Sequence, residues 1–233
     1  MIKIENVDVF GWEAAIRGMR NPMNSWDKSD SYPAVDCGEC GEIDRKGICY
    51  PKEHDCSQYE CFEVGENDLK LMKNLSKAGN DHGKFLRMIN VTVDITAPLY
   101  WWKEFDTYKV GTVANSCSTM HKIHEKKFTL NDFSHEHLYS SDNECDDSLE
   151  VLGLVITVLN YYRAEFVHSK SKDSWWQMIQ LLPSSYNQKR TVQLNYAVLK
   201  AVYHARKNHK LDEWIDFCKW CETLPYFKEI CLE

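Results

Sequence analysis

Residues 98–118, which read PLYWWKEFDTYKVGTVANSCS, and the alternating pattern before them decide the fold of this chain. In residues 89–97 apolar and polar side chains alternate, and the apolar ones are Ile89, Val91, Val93, Ile95 and Ala97. A period of two predicts a strand with one face on a core. Pro98 ends the pattern, so the strand is expected to stop there.

The predicted strand leads into aromatic bulk and then into small residues. Tyr100, Trp101 and Trp102 come first, and residues 111–118 then contain nothing larger than valine. Aromatic rings alone would suit a core. Followed by a small, polar run, they predict a place where a flat ligand is held and where the backbone comes close to it.

A second segment, residues 182–213, carries a helical pattern. The prediction is a helix from Gln193 to about His209, with an apolar stripe of Leu194, Val198, Ala201, Val202 and Ala205. Asn195 and Arg206 are eleven positions apart and fall within roughly 20° of each other on such a helix. An arginine at the inward edge needs an anion, a carbonyl or a planar partner. The alternative to a ligand is an internal ion pair, with Glu213 as the candidate partner.

These residues resemble the flavin-dependent thymidylate synthases, which use FAD and a methylene-folate donor to methylate dUMP. That family has a strand leading to R-H-R-x-x-S-x-N-E-x-S-x-R, and later a Leu-Pro pair followed by Asn and, eleven residues on, Arg. Here Leu182-Pro183 is followed by Asn195 twelve residues after the proline and by Arg206 eleven further on. The resemblance covers roughly residues 65–230.

The first family motif is altered in this chain. Tyr108-Lys109-Val110 stands where the family has R-H-R, and Met120 stands at the final Arg. Asn115 and Ser118 lie at the motif's Asn and last Ser, with Ser116 at its acid. The resemblance implies that Lys109, Asn115, Ser116, Ser118 and Arg206 bind the substrate. It further implies FAD contacts for His82 and Asn195, and catalytic roles for Ser118 and Arg206.

The fold implied by the resemblance is α/β, of the α+β type. It is a curved, mostly antiparallel sheet packed by helices, formed as one domain over residues 1–233 with a Cys-rich insertion at 36–61. The family builds its flavin site between the subunits of a tetramer, so a homo-oligomer is implied.

Two functions from different classes remain open at this stage. The first is a divergent enzyme that binds FAD and a dUMP-like nucleotide for folate-dependent one-carbon transfer. The second is a catalytically inactive relative that serves as a nucleotide-binding or regulatory protein. The sequence has no dinucleotide-binding glycine motif, P-loop, metalloprotease motif or nucleophile elbow. Catalysis would then rest on a cofactor that carries the electron chemistry itself.

Residues 36–61 contain five cysteines and His54. The spacing of Cys37 and Cys40 is that of the first half of a zinc knuckle. No second Cys-x-x-Cys closes the pattern within this segment. A zinc-dependent interaction module and a reduced surface insertion are both compatible with it.

Two pairs of cations are further candidates for holding a phosphate, each with simple solvation as the alternative. Arg17 and Arg20 lie on a predicted helical turn near the N-terminus. Lys189 and Arg190 end a polar segment, residues 184–190, which is expected to be a loop.

Composition narrows the class of protein. The chain has 233 residues, 43% of them hydrophobic, and a formal charge of −7. A chain of this length is expected to form one sizeable core. Its net negative charge argues against nucleic-acid binding, which would need a basic surface. Residues 151–159 form the longest apolar run, too short to span a bilayer. Ten cysteines without an export signal predict a cytoplasmic protein with reduced thiols.

Overall fold

The computed structural model describes residues 2–35, 60–141 and 147–233. Its strands are β1 (Lys3–Phe10), β2 (Tyr32–Val35), β3 (Glu60–Glu63), β4 (Asn90–Pro98), β5 (Val113–Ser116) and β6 (Asn187–Asn195). Its helices are α1 (Trp12–Arg20), α2 (Glu66–Lys77), α3 (Leu99–Phe105), α4 (Ser148–Ser169), α5 (Lys172–Leu181), α6 (Tyr196–Arg206) and α7 (Asp212–Cys221), and a π-helical turn covers Lys228–Leu232. None of these helices is long and apolar enough to cross a membrane.

Four strands form one sheet in the order β1-β4-β6-β5, and β2 pairs with β3 in a separate antiparallel pair. The strand predicted from the alternating pattern is β4, and Val91, Val93 and Ile95 are all buried on one of its faces. Strand β5 runs antiparallel to β6, with Val113 opposite Gln193. The expected strand between residues 89 and 97 is thereby confirmed.

The chain divides into two compact units. The first contains Met1–Asp8, Thr92–Leu194 and Val202–Trp220, and the second contains Val9–Val91, Asn195–Ala201 and Cys221–Glu233.

Aromatic rings of α3 and α7 fill the core of the first unit. Trp101 and Phe105 of α3 contact Trp214 and Phe217 of α7, while Trp102 packs against Trp101 and Phe105. Each of these side chains is at most 2% exposed. The Trp101 and Trp214 ring centroids lie 4.7 Å apart. Buried rings of this size make large apolar contributions and specific ring contacts. Of the aromatic run that the sequence placed at a ligand site, Trp101 and Trp102 are therefore core, and Tyr100 is partly exposed.

Helices α4 and α5 pack on each other in the same unit. Leu152, Leu159 and Met178 are buried between them and neighbouring loops. The Asp147 side chain accepts a hydrogen bond from the Glu150 amide and caps α4. The apolar run at residues 151–159 therefore lies within a capped helix.

Helix α6 begins later than the sequence pattern predicted. Gln193 and Leu194 belong to β6, because Gln193 pairs with Val113 in the sheet. Asn195 ends the strand, and its Oδ1 accepts a hydrogen bond of 3.1 Å from the Val198 amide, which caps the helix. Strand β6 also takes up most of the expected polar loop at 184–190, since it starts at Asn187. Both boundary predictions were wrong.

A buried ion pair lies in the second unit. Arg20 Nε is 2.6 Å from Asp68 Oδ1, and the two side chains are 4% and 0% exposed. The other carboxylate oxygen of Asp68 accepts hydrogen bonds from the hydroxyls of Ser29 and Ser31, each at 2.7 Å. This network joins α1, α2 and the loop before β2.

Candidate functional site

Strand β5 is an exposed strand at one edge of the sheet. All four of its residues are exposed. Asn115 lies opposite Thr191 and Ser116 lies opposite Arg190 on β6. Gly111, with φ at 77°, makes the turn that precedes the strand in a conformation that favours glycine. An edge strand offers backbone donors and acceptors to an incoming partner.

The polar side chains on and beside β5 are available to a ligand. Lys109 is exposed, and neither it nor the side chains of Asn115 and Ser116 hydrogen-bond to any described residue. Ser118 Oγ accepts hydrogen bonds from the amides of Met120 (3.2 Å) and His121 (2.9 Å). Its O–H remains free to donate, because a hydroxyl has one donor beside its two acceptor sites.

Both cations near the start of β6 are engaged within the protein. Arg190 Nη1 is 2.7 Å from Asp106 Oδ1, and its guanidinium carbon lies 4.2 Å from the ring centre of Trp102. Lys189 Nζ is 2.9 Å from Asp94 Oδ2. These contacts favour a structural role for the pair over the phosphate-binding role considered from the sequence.

Asp94 lies on β4 and ties three strands together. Its carboxylate accepts hydrogen bonds from Thr191 Oγ1 at 2.6 Å and from Asn6 Nδ2 at 2.8 Å, besides the contact with Lys189. The hydrogen bond from Thr191, followed by those from Lys189 and Asn6, lowers the pKa of Asp94 to about 2.

Arg206 ends α6 and lies against two aromatic rings. Its guanidinium carbon is 4.8 Å from the ring centre of Trp214 and 5.6 Å from that of Tyr108. Arg206 Nε donates to the Tyr108 hydroxyl at 2.8 Å, and Nη1 donates to Glu104 Oε2 at 2.6 Å. A guanidinium has five N–H groups, so three of those of Arg206 take no part in these two hydrogen bonds.

Glu104 Oε2 is the acceptor at which three side chains converge. Besides the bond from Arg206, it accepts a hydrogen bond from Trp214 Nε1 at 2.9 Å, and His209 Nε2 lies 3.3 Å from it. The Leu211 amide donates to His209 Nδ1 at 3.2 Å. The ring nitrogen facing Leu211 therefore acts as a hydrogen-bond acceptor, and Nε2 is the nitrogen nearer Glu104.

The ion-pair partner suggested for Arg206 was wrong. Glu213 is buried and instead accepts a short hydrogen bond from the Tyr100 hydroxyl. Burial, and then this bond to the Glu213 carboxylate, raise the pKa of Tyr100. Arg206 does form an internal ion pair, but with Glu104 of α3.

The two residues expected to contact FAD lie in the second unit. The His82 ring is exposed, just before a short helical turn at Gly83–Arg87, and makes no hydrogen bond or ion pair with the described residues. Asn195 uses Oδ1 to cap α6. Its Nδ2 has no hydrogen-bond acceptor within the described ranges.

No group of three or more potential metal ligands occurs in the part of the chain that the structure describes. The proposed zinc ligands Cys37 and Cys40 lie outside that part, as do residues 36–59 of the Cys-rich segment. Cys218 and Cys221, which repeat the Cys-x-x-Cys spacing, are buried in α7 as core residues.

Solved structures share this fold over the whole chain. Thymidylate synthase X (ThyX) from Helicobacter pylori, crystallised with FAD and dUMP, matches with a TM-score of 0.64 and 15% identity over 100% of this chain and 98% of that one. A second H. pylori ThyX structure, also complexed with FAD and dUMP, matches with a TM-score of 0.61 and 17% identity over 98% of this chain and 100% of that one. This chain has the ThyX fold. A scan of protein-family models and a search of curated proteins found no match.

The ThyX fold confirms the expected class, an antiparallel sheet packed by helices. The structure brings Asn115 and Ser116 together on β5, with Lys109 and Ser118 flanking that strand in the sequence. No hydrogen bond or ion pair among the described residues joins Arg206 to that set.

Sequence reasoning missed the residues around Arg206. Glu104, His209 and Trp214 make its environment, yet no motif marked them. One signal was present: Glu104 stands directly before Phe105 in helix α3, in which four of the seven residues are aromatic. A carboxylate in such a setting needs a donor or a cation.

Proposed function

We propose that this protein binds FAD and a pyrimidine deoxynucleotide such as dUMP, and transfers a one-carbon group from a folate to that nucleotide. The likeness to ThyX structures with both ligands, over nearly the full length of both chains, supports the proposal. The observation that carries it is the set of unpartnered polar groups on and beside the exposed edge strand β5.

The residues assigned to FAD have the chemistry that an isoalloxazine ring requires. Its carbonyl and ring nitrogen atoms accept hydrogen bonds, and both the His82 ring and Asn195 Nδ2 are donors with no described acceptor. When bound, FAD supplies the redox chemistry of the methylation. His82 and Asn195 would orient the ring.

The residues assigned to the nucleotide include one exposed cation for its phosphate and several hydrogen-bonding side chains. Lys109 is the exposed cation for the phosphate, and it acts as a point charge where an arginine would give a fork. Asn115 and Ser116 supply hydrogen bonds beside it. Ser118 donates its O–H to the substrate, and Arg206 offers its remaining N–H groups to a pyrimidine carbonyl. Ser118 and Arg206 are the proposed catalytic residues.

A homo-oligomer is part of the same proposal. Val151, Leu154 and Tyr161 on α4 are 56%, 64% and 61% exposed. At 100° per residue they fall within an arc of about 80°, away from the face that holds Leu152 and Leu159. An unpaired apolar stripe of this kind is typical of a subunit contact.

A titration of the purified protein with FAD, followed by flavin absorbance, tests cofactor binding. Calorimetry with dUMP tests the nucleotide site, and Lys109→Gln should weaken dUMP binding about tenfold through loss of one charge-assisted contact. Lys172→Gln, an exposed lysine on α5, is the control. Formation of dTMP from dUMP and methylene-folate with reduced flavin tests turnover. A protein that takes up neither FAD nor dUMP contradicts the proposal.

A further inference from the structure

A cavity of about 310 Å³ lies in the second unit, and none of the residues proposed for FAD or the nucleotide line it. It is open to solvent, and its lining comes from α1, from the loop that carries Trp26, and from the β2–β3 pair. The apolar part of its wall comes from Ile16, Trp26, Pro33 and Phe62. Its volume is at the lower end for ligand pockets, which suits a molecule with one or two rings.

The rings in the cavity wall are held in place by the surrounding structure. Trp26 Nε1 donates to Asn21 Oδ1 at 2.8 Å. Phe62 stacks on Trp12, with ring centroids 6.5 Å apart and planes 7° from parallel. Two fixed aromatic side chains in one pocket favour a flat apolar ligand.

The inner polar wall accepts hydrogen bonds but has few donors to give. Arg20 lines the cavity, yet Nε donates to Asp68, and Nη1 and Nη2 donate to the carbonyls of Ser25 and Lys28 at 3.0 Å each. Ser29 and Ser31 also line it, and each has already donated its hydroxyl hydrogen to Asp68. What these hydroxyls present to a ligand is oxygen lone pairs.

The cavity lining also includes one acidic and one basic side chain, those of Glu13 and Arg17. Glu13 and Arg17 are four residues apart on α1, so they lie on the same face of the helix. Both are exposed, and neither hydrogen-bonds or forms an ion pair with a described residue. A carboxylate and a guanidinium side by side, both open to a ligand, match a molecule that carries both charges.

We propose that this cavity binds a free aromatic amino acid. Its ring lies among Trp26, Phe62 and Ile16, its ammonium group faces Glu13 and the serine oxygens, and its carboxylate pairs with Arg17. Inorganic phosphate is a poor fit, because Glu13 and the serine lone pairs repel an anion and because the charge of Arg20 is already paired with the Asp68 carboxylate. The site stands apart from the FAD and nucleotide proposal.

Calorimetry on the full chain with a matched ligand series tests the proposal. L-Phenylalanine, L-tyrosine and L-tryptophan should bind, whereas L-alanine lacks the ring and should not. Phenethylamine without the carboxylate and hydrocinnamate without the ammonium group should each bind about tenfold more weakly, the effect of one lost charge-assisted hydrogen bond. Inorganic phosphate should neither bind nor compete.

Two exposed substitutions assign the contacts. Arg17→Gln should weaken binding of the best amino acid about tenfold and leave binding of phenethylamine, which lacks the carboxylate, unaffected. Glu13→Gln should also weaken binding of the amino acid about tenfold, and should leave binding of hydrocinnamate, which lacks the ammonium group, unaffected. Arg87→Gln, at another exposed arginine of the same unit, is the control and should change nothing. The proposal is overturned if no aromatic amino acid binds at millimolar concentration, if phosphate displaces it, or if Arg17→Gln and Arg87→Gln behave alike.

Discussion

Arg206 Nη1 lies 2.6 Å from Glu104 Oε2, so the arginine assigned to the nucleotide already has an anionic partner within the protein. The two side chains are 19% and 35% exposed. A pyrimidine that approached Arg206 would meet a guanidinium whose charge is partly neutralised and whose carbon lies 4.8 Å from the ring centre of Trp214. The strength of this ion pair therefore sets how much Arg206 can contribute to a ligand.

Glu104→Gln should increase the affinity for dUMP. Glutamine keeps an oxygen acceptor for Trp214 Nε1 and Arg206 but removes the competing charge, so we expect a gain of about tenfold if Arg206 binds the pyrimidine. Calorimetric titration with dUMP measures it. Glu165→Gln, at an exposed position on α4, should leave the affinity unchanged. Equal affinities for wild type and Glu104→Gln would remove Arg206 from the nucleotide site.

Asp68→Asn should destabilise the protein by about 3–5 kcal/mol, because it leaves the Arg20 charge buried without its counterion. Burial by itself would raise the pKa of Asp68, but the hydrogen bonds from Ser31, Ser29 and Arg20 outweigh it and lower that pKa. The carboxylate is therefore charged at neutral pH. Denaturant unfolding at pH 7 gives the free energy, with exposed Asp81→Asn as the matched control. A loss below about 1 kcal/mol would speak against this account.

Asp94 should make stability depend on pH in a narrow acid range. Its folded pKa of about 2 lies below the usual value of about 4 for an aspartate. The stabilisation is thus fully present above pH 4 and is lost as the pH falls toward 2. Urea unfolding of wild type and Asp94→Asn between pH 2 and 6 should show a difference that shrinks on acidification. A difference that stays constant over that range would refute the assignment.

Leu154→Glu should reduce the size of the particle in solution, because it places a charge within the exposed apolar stripe of α4. Light scattering coupled to size-exclusion chromatography measures the mass. Ala164→Glu serves as the control, since Ala164 is exposed on the same helix outside that stripe. A monomeric wild-type protein, or an equal effect of both substitutions, would leave no role for the stripe in assembly.

Local patterns predicted part of the secondary structure. Strand β4 follows from alternation alone. The failure at Gln193 is informative. Its neighbours suit a helix, but pairing with Val113 extends β6 to Asn195, and that pairing joins residues 80 positions apart.

The candidate site was predictable only in part. Asn115, Ser116 and Lys109 were selected from the sequence, and the structure leaves their side chains exposed and without described partners. The surroundings of Arg206 were not predictable, because spacing along a helix says which way a side chain points but not what lies opposite. Spacing suggested Glu213, and the fold supplied Glu104.

The sequence by itself determined strand β4, since its alternating pattern depends on side chains a few residues apart. Only the tertiary structure decided which charges meet. Arg206 with Glu104 and Arg20 with Asp68 are pairs separated by 102 and 48 positions. An ion pair depends on distance in space and on the water removed around it, and neither quantity is written in the order of the residues.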